Sequence, residues 1–142
     1  MMAVMESHAR PRPDHVDLCI IGSGSGLSLI DDDIDDWQIA LLDNGVGPTQ
    51  IFGGTCLNAG CIPSKMFAKP AGFSLAPEQA RLINADVRFL GVDHKAAQAR
   101  VFGRTDEVAE AGLAGLASRE NVQVLIGRAT FVDQHTISVG GR

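Results

Sequence analysis

One stretch of the chain constrains the fold more than any other: an apolar run that leads straight into three closely spaced glycines. Residues 16–21 are nearly all apolar and favour a buried strand, and Gly22-Ser-Gly-Ser-Gly26 follows at once. A second short apolar run, Ile39 to Leu42, ends in the acid Asp43. Parallel strands need a crossover connection, and the intervening residues leave room for a helix beginning near Ser25. The sequence therefore predicts a βαβ unit.

The remaining pattern predicts more elements of the same α/β type. The crossover helix should be short and end near Ile30, because the five aspartates within residues 31–36 are poor helix-interior residues. An irregular helical segment is expected from about Cys56, since Pro63 and Pro70 are tolerated only at a helix start or a kink. A longer helix should run from about His94 to Arg119 and pack on the sheet through one face. That face consists of Phe102, Ala109, Leu113 and Leu116.

The last part of the chain predicts strands again. Val122 to Ile126 is typical of a further buried strand, and Ala129 to Val132 with Thr136 to Val139 should form a hairpin around a polar turn. The predicted fold is thus a parallel sheet with crossover helices, followed by the start of a β-meander. We expect residues 1–15 to be a flexible tail and residues 16–142 to belong to one domain.

Composition excludes several classes of function. The chain has 142 residues, which suffices for one core, and its net charge of -5 gives no electrostatic footprint for nucleic acid. No apolar run is long enough for a membrane span or a signal peptide. Three cysteines are too few for a secreted disulfide scaffold. A cytoplasmic protein that binds neither nucleic acid nor membrane is expected.

The glycine run has the chemistry of a dinucleotide turn. Gly22 and Gly24 let the backbone turn sharply and approach a pyrophosphate, whose charge is met by amides at a helix amino terminus. Asp43 lies about twenty residues later at a strand end, where an acid accepts hydrogen bonds from a ribose hydroxyl. The third small position is occupied by Leu27, with Gly26 one residue early. A turn that binds no ligand therefore remains an alternative interpretation of this glycine run.

The second constellation is a close pair of cysteines, Cys56 and Cys61, in Gly53-Gly-Thr-Cys-Leu-Asn-Ala-Gly-Cys-Ile-Pro-Ser-Lys65. In a regular helix, residues five apart have Cα atoms separated by roughly 8 to 9 Å. A disulfide needs less than about 7 Å, so a bridged loop has to leave helical geometry, which Asn58 and Gly60 permit. Zinc normally takes four ligands, and no second close Cys or His pair stands nearby, so no metal site is expected.

This stretch resembles the active-site motif of the pyridine nucleotide-disulfide oxidoreductases. Within that family the mycothione reductase subgroup shows the most similar features. The shared segments are Ile20 to Gly26, Pro63-Ser-Lys-Met-Phe67 and Arg100-Val-Phe-Gly-Arg-Thr-Asp106.

The resemblance implies a Rossmann-like FAD-binding domain. In that case Gly22, Ser23, Gly24, Ser25, Gly26 and Asp43 hold the adenosine and pyrophosphate of FAD. Gly54 and Thr55 extend along the cofactor, Lys65 lies beside the flavin, and the backbone of Ala129 meets the adenine.

The resemblance also implies a route for electrons. They pass from NADPH to FAD, then to a redox-active Cys56–Cys61 disulfide, and finally to a small-molecule disulfide substrate. Cys56 attacks the substrate, whereas Cys61 lies against the flavin as a thiolate. Mycothione is the first expectation for the substrate and dihydrolipoamide chemistry the alternative.

Relatives of this kind are homodimers and several-fold longer. We therefore expect this chain to be a truncated amino-terminal part, whose NADPH domain is absent and which is inactive by itself. A non-catalytic fragment is the remaining alternative from the sequence.

Overall fold

The computed structural model describes residues 15–140. The expected amino-terminal tail therefore lies outside the described residues, except for His15. The described chain forms five strands and four α-helices. The strands are β1 (Leu18–Ile21), β2 (Ile39–Asp43), β3 (Val122–Ile126), β4 (Ala129–Phe131) and β5 (Ile137–Val139). The α-helices are α1 (Gly54–Asn58), α2 (Cys61–Gly72), α3 (Ala76–Arg81) and α4 (His94–Ser118).

A three-stranded parallel sheet is the frame of the domain. Its order is β1-β2-β3, with Leu18 opposite Ile39 and Ile39 opposite Val122. Every residue of the central strand β2 is buried, as expected for a parallel sheet covered on both faces. The predicted strands and their parallel arrangement are confirmed.

The connection between β1 and β2 contains 3₁₀ helices, which are wound more tightly than an α-helix. It forms two short 3₁₀ helices, Ser25–Leu29 and Asp32–Ile34, so the predicted short helix ends where expected but has a different type. Asp31 explains the break, because its carboxylate accepts a hydrogen bond from the N–H of Asp33 at 3.1 Å and caps the second 3₁₀ helix.

Helices cover one face of the sheet. The core there contains Ile20, Ile39, Leu41, Phe52 and Val122, and Leu113 and Leu116 of α4 pack against it.

One residue of the predicted α4 face is wrong. Phe102 is exposed, and Val101 and Thr105 are buried instead. Helix α4 contacts α1 and α2 as well as β3, so its buried face is not set by the sheet alone. The Phe102 ring lies edge-on to Phe67 of α2, with ring centroids 6.2 Å apart.

A hairpin partly covers the opposite face of the sheet. β4 and β5 pair antiparallel, and residues 137 and 139 of β5 face Cys19, Ala40 and Leu42 across a cavity of about 440 Å³. In the turn, the Asp133 carboxylate accepts a hydrogen bond from the His135 N–H at 2.8 Å. This bond, with the Thr136 hydroxyl, holds the pKa of Asp133 below its usual range. The predicted hairpin is confirmed, one residue shorter in each strand.

The central strand makes a direct test of this fold. Leu41 is completely buried, so Leu41→Ala should lower the free energy of unfolding by about 2–5 kcal/mol. Leu82→Ala is the matched control, because Leu82 is 83% exposed and should change stability by less than about 0.5 kcal/mol. Urea denaturation followed by circular dichroism measures both, and equal losses would contradict the assigned core.

Candidate functional site

The glycine turn lies at the carboxyl end of β1. The N–H of Gly22 donates to the carbonyl of Leu42 at 2.7 Å, and Gly22 has φ +94°, which a side chain rarely adopts. A Cβ placed on Gly22 or Gly24 would meet no atom within 4 Å. Open space therefore lies beside the turn at the strand edge where parallel α/β sheets bind ligands.

Asp43 closes the other side of this space. It is 6% exposed, and its Oδ1 accepts a hydrogen bond from the N–H of Ser23 at 3.2 Å. Its Oδ2 is buried and has no hydrogen-bond partner among the described residues. A buried carboxylate oxygen without a donor is costly, so this atom is suited to a donor from outside the chain.

Ser23 connects the glycine turn to the segment before the cysteines. Its hydroxyl is buried and accepts a hydrogen bond from the N–H of Gly53 at 2.7 Å. Gly54 then approaches the turn so closely that a Cβ there would lie 2.7 Å from the Cα of Gly24. Two segments thirty residues apart are thereby packed backbone against backbone.

Gly26, rather than residue 27, provides the close packing between helix and strand for which the dinucleotide pattern uses its third small residue. A Cβ on Gly26 would lie 3.3 Å from Cγ2 of Ile20, so the first 3₁₀ helix packs tightly on β1 at this glycine. Leu27 packs against the core instead. Ser25 begins the 3₁₀ helix and is exposed.

The two cysteines are joined across a break between helices. Cys56 lies in α1 and Cys61 begins α2; they form a disulfide with Cα atoms 4.6 Å apart. Helix α1 ends at Asn58, and Gly60, with φ −124° and ψ −107°, redirects the chain into α2. The predicted departure from helical geometry is confirmed.

The position of the pair favours thiol chemistry. Both cysteines are exposed, and Cys61 is the first residue of a twelve-residue helix whose first turn has no acidic residue. A helix amino terminus stabilises a thiolate. Lys65 follows Cys61 by four residues, so it lies about one turn further along α2, and its side chain is exposed.

Thr55 and Ala129 are placed differently. Thr55 is exposed directly before Cys56, and its carbonyl accepts a hydrogen bond from the Ala59 N–H at 2.9 Å. Ala129 is half-buried at the start of β4, two residues after Gly127, whose N–H donates to the Asp43 carbonyl at 2.8 Å. Ala129 is therefore near the same end of the sheet without a described contact to the glycine turn.

The third cysteine has a separate environment. Cys19 is half-buried in β1, and burial raises the pKa of its thiol. Among residues 15–140, no group of three or more His, Cys, Asp or Glu side chains is arranged to hold a metal ion. No helix within the same residues is long and apolar enough to cross a membrane.

Comparison with known proteins gives this arrangement a family. The chain is 38% identical over 96 residues to a mycothione reductase of Mycobacterium tuberculosis, a match covering 68% of the chain and 20% of that protein. It is 29% identical over 130 residues to a dihydrolipoyl dehydrogenase of Mycobacterium bovis, covering 88% and 26% respectively. The chain belongs to the pyridine nucleotide-disulfide oxidoreductase family. No protein-family model matches it.

The fold agrees with this family. The HOCl-induced flavoprotein disulfide reductase RclA from Escherichia coli superposes with a TM-score of 0.61 and 25% identity, over 87% of this chain and 24% of RclA. The domain is therefore an α/β, Rossmann-like FAD-binding fold. The chain spans about a quarter or less of the family members that it matches here.

The residues present fit FAD, the cofactor implied by the family. The open space beside Gly22 and Gly24 leaves room for a pyrophosphate against the backbone. A side chain at either position would occupy part of that space. The unpartnered Oδ2 of Asp43 can accept a ribose hydroxyl. Both features lie at the same end of the sheet.

Two hydrogen-bonding residues of this site have contacts that the sequence did not indicate. The Ser23 hydroxyl accepts the Gly53 N–H, a bond between distant loops that no sequence pattern indicates, and the expected contact of Ser23 with the cofactor stays a prediction. Asn58 was expected only to permit the bend between the cysteines. Its side-chain amide donates hydrogen bonds to two backbone carbonyls, and no sequence pattern indicates these contacts.

The close packing of Gly54 on Gly24 can be tested with a matched glycine. Gly54 and Gly47 have nearly equal φ angles of +72° and +70°, but a Cβ on Gly47 meets nothing within 4 Å. Gly47→Ala should therefore cost only the left-handed backbone penalty of about 1–2 kcal/mol. Gly54→Ala should cost about 1–3 kcal/mol more, because its Cβ meets backbone that no rotamer change can move. Urea denaturation measures both losses, and an equal loss in the two variants would refute the close approach.

Proposed function

We propose that this chain forms the FAD-binding and disulfide-bearing part of a reductase that uses NADPH to reduce a low-molecular-weight thiol disulfide of the mycothione type. One observation carries the proposal. An exposed Cys56–Cys61 disulfide joins α1 to the start of α2, and α1 follows a glycine corner that is packed on the glycine turn.

The chain's own residues would hold and orient the cofactor. FAD, when bound, would supply the two-electron redox chemistry that connects NADPH to the Cys56–Cys61 disulfide. The backbone of Gly22, Gly24 and Gly26, with Ser25 at the start of the 3₁₀ helix, would hold the pyrophosphate, and Asp43 would bind the ribose. Ser23 holds this turn against Gly53 through its hydrogen bond. Gly54, Thr55, Lys65 and Ala129 would hold the rest of the cofactor, Lys65 towards the flavin and Ala129 towards the adenine.

The substrate is reduced by two thiol–disulfide exchanges. The Cys56 thiolate attacks one sulfur of the substrate disulfide, so that a Cys56–substrate disulfide forms and the first substrate thiolate leaves. The Cys61 thiolate then attacks the sulfur of Cys56, releasing the second substrate thiolate and restoring the Cys56–Cys61 disulfide. The two released thiolates take up protons, and two electrons have passed from the cysteine pair to the substrate.

The fold supports this division of roles. Cys61 begins the twelve-residue helix α2, whose amino terminus stabilises its thiolate for the second exchange. Cys56 lies on the short helix α1 and is exposed, so a substrate disulfide can reach it. Cys19 takes no part, because it lies in the sheet and burial raises its pKa.

The remaining assignments rest on the resemblance. The single glycine turn of this type is assigned to FAD, so we assign NADPH to no residue of this chain and propose that the 142-residue chain is inactive by itself. A homodimer in the cytoplasm is proposed for the complete enzyme.

A dihydrolipoamide dehydrogenase activity is the second candidate. Its support is the length of the match, because the similarity to the Mycobacterium bovis dihydrolipoyl dehydrogenase covers 88% of the chain and that to the mycothione reductase covers 68%. The cysteine chemistry is the same in both cases.

The cysteine roles can be tested in the flavin-loaded holoenzyme by stopped-flow spectroscopy. Cys56→Ser should lose at least about a thousandfold of disulfide reduction with mycothione, because only this thiol exchanges with substrate, while NADPH still bleaches the flavin. Cys61→Ser should instead stop at a mixed disulfide between Cys56 and one half of the substrate, visible by intact-protein mass spectrometry. Cys19→Ser is the matched control and should keep both activities.

Three results would decide against parts of the proposal. A Cys56→Ser enzyme that still reduces disulfides, or a mixed disulfide that forms on Cys61, would reverse or exclude the assigned roles. A preference for lipoamide over mycothione in kcat/KM would select the second candidate.

A further inference from the structure

Asn58 lies between the two cysteines and is almost completely buried. It is the last residue of α1 and is 8% exposed. Its side-chain Nδ2 donates two hydrogen bonds, to the carbonyl of Phe52 at 2.8 Å and to the carbonyl of Gly54 at 3.1 Å. Both N–H donors of the amide are thereby used on the backbone immediately before Cys56.

These bonds stabilise a sharp corner of the chain. Gly53 and Gly54 have φ angles of +110° and +72°, so the backbone turns sharply between Phe52 and the first turn of α1. Helix α1 has only five residues, and a helix that short does not hold its geometry without tertiary contacts. Asn58 supplies two such contacts from its carboxyl-terminal end.

The oxygen of the Asn58 amide makes no hydrogen bond with the described residues, so the two N–H donors are what distinguish asparagine from other residues at this position. The Oδ1 atom of Asn58 is buried and has no partner among the described residues. An aspartate would place a charged oxygen against two carbonyls, and a leucine of similar shape would donate to neither of them. The asparagine amide donates to two backbone carbonyls, although its own buried oxygen has no partner among the described residues.

We infer that Asn58 is a positioning residue for the redox pair. By fixing the end of α1 to the Phe52–Gly54 corner, it keeps Cys56 close to Cys61 when the disulfide is reduced, so that the pair closes again readily. It acts through the backbone and needs no contact with sulfur. This inference rests on the proposed function only in that the pair is taken to cycle between disulfide and dithiol.

The consequence is a measurable effect on the cysteine pair itself. A disulfide forms more favourably when its thiols are held at a high effective concentration, and without the two hydrogen bonds the dithiol form gains freedom. The equilibrium constant for oxidation should then fall by about tenfold, which is about 30 mV for a two-electron couple.

The chain offers a matched control for this substitution. The side-chain Nδ2 of Asn121 also donates to two backbone carbonyls, those of Ile34 at 3.4 Å and Trp37 at 3.1 Å. Asn121 precedes β3, at the opposite end of the sheet from Asp43. Asn121→Ala therefore removes the same kind of contact without touching the cysteine loop.

The experiment uses the 142-residue chain with no cofactor. Wild type, Asn58→Ala and Asn121→Ala are equilibrated in mixtures of reduced and oxidised dithiothreitol, quenched by thiol alkylation and analysed by intact mass spectrometry. Dithiothreitol supplies the two electrons and two protons that open the disulfide and is itself oxidised to its cyclic form. We expect a shift of about tenfold for Asn58→Ala and less than about twofold for Asn121→Ala. Equal shifts in the two variants, or none in Asn58→Ala, would overturn the inference.

A second measurement does not depend on the folding of any variant. In the ¹⁵N spectrum of the wild-type chain, the side-chain amide protons of Asn58 should remain slow to exchange with solvent in both the oxidised and the reduced form. Fast exchange after reduction would mean that the contact is lost in the dithiol and would also overturn the inference. A wild-type pair that reaches no reversible equilibrium with dithiothreitol would instead count against the proposed function.

Discussion

The structure depends on a chain of two hydrogen bonds that begins at the Asp43 carboxylate. Asp43 ends the fully buried central strand, and its Oδ1 holds the N–H of Ser23 in the glycine turn. The hydroxyl of Ser23 in turn holds the N–H of Gly53, ahead of the cysteines. The fully buried central strand of the sheet thus fixes both the glycine turn and the start of the cysteine loop.

This connection explains why position 54 needs glycine. Gly54 lies against the backbone of Gly24, and a Cβ on Gly54 would lie 2.7 Å from the Cα of Gly24 and separate the loops that Ser23 joins. The same backbone approach leaves the outer side of the turn open for a pyrophosphate. The open space beside the glycine turn and the position of the short helix α1 therefore follow from one packing arrangement.

Much of this arrangement follows from sequence patterns. The apolar runs predict the three parallel strands, and the spacing of Cys56 and Cys61 predicts the break between α1 and α2, because disulfide geometry excludes a continuous helix. The pattern does not predict that Val101, rather than Phe102, is buried in α4, since that depends on how α2 packs against it. It also does not encode the contacts of Gly26 with Ile20 and of Ser23 with Gly53. The spacing of apolar residues predicts which helix face is buried only if the packing partner is known. For α4 the partners include α2 as well as the sheet, and the sequence does not reveal this.

The claim that one hydrogen-bonded unit holds both loops is tested most directly at the amide of Gly53. Hydrogen exchange measured by NMR should show this amide protected in the wild-type chain and exchanging at least about tenfold faster in Ser23→Ala, which removes its acceptor. Ser25→Ala, an exposed change two residues away, should leave it protected. An unchanged Gly53 exchange rate in Ser23→Ala would contradict the account, because the glycine turn and the cysteine loop would then be held independently.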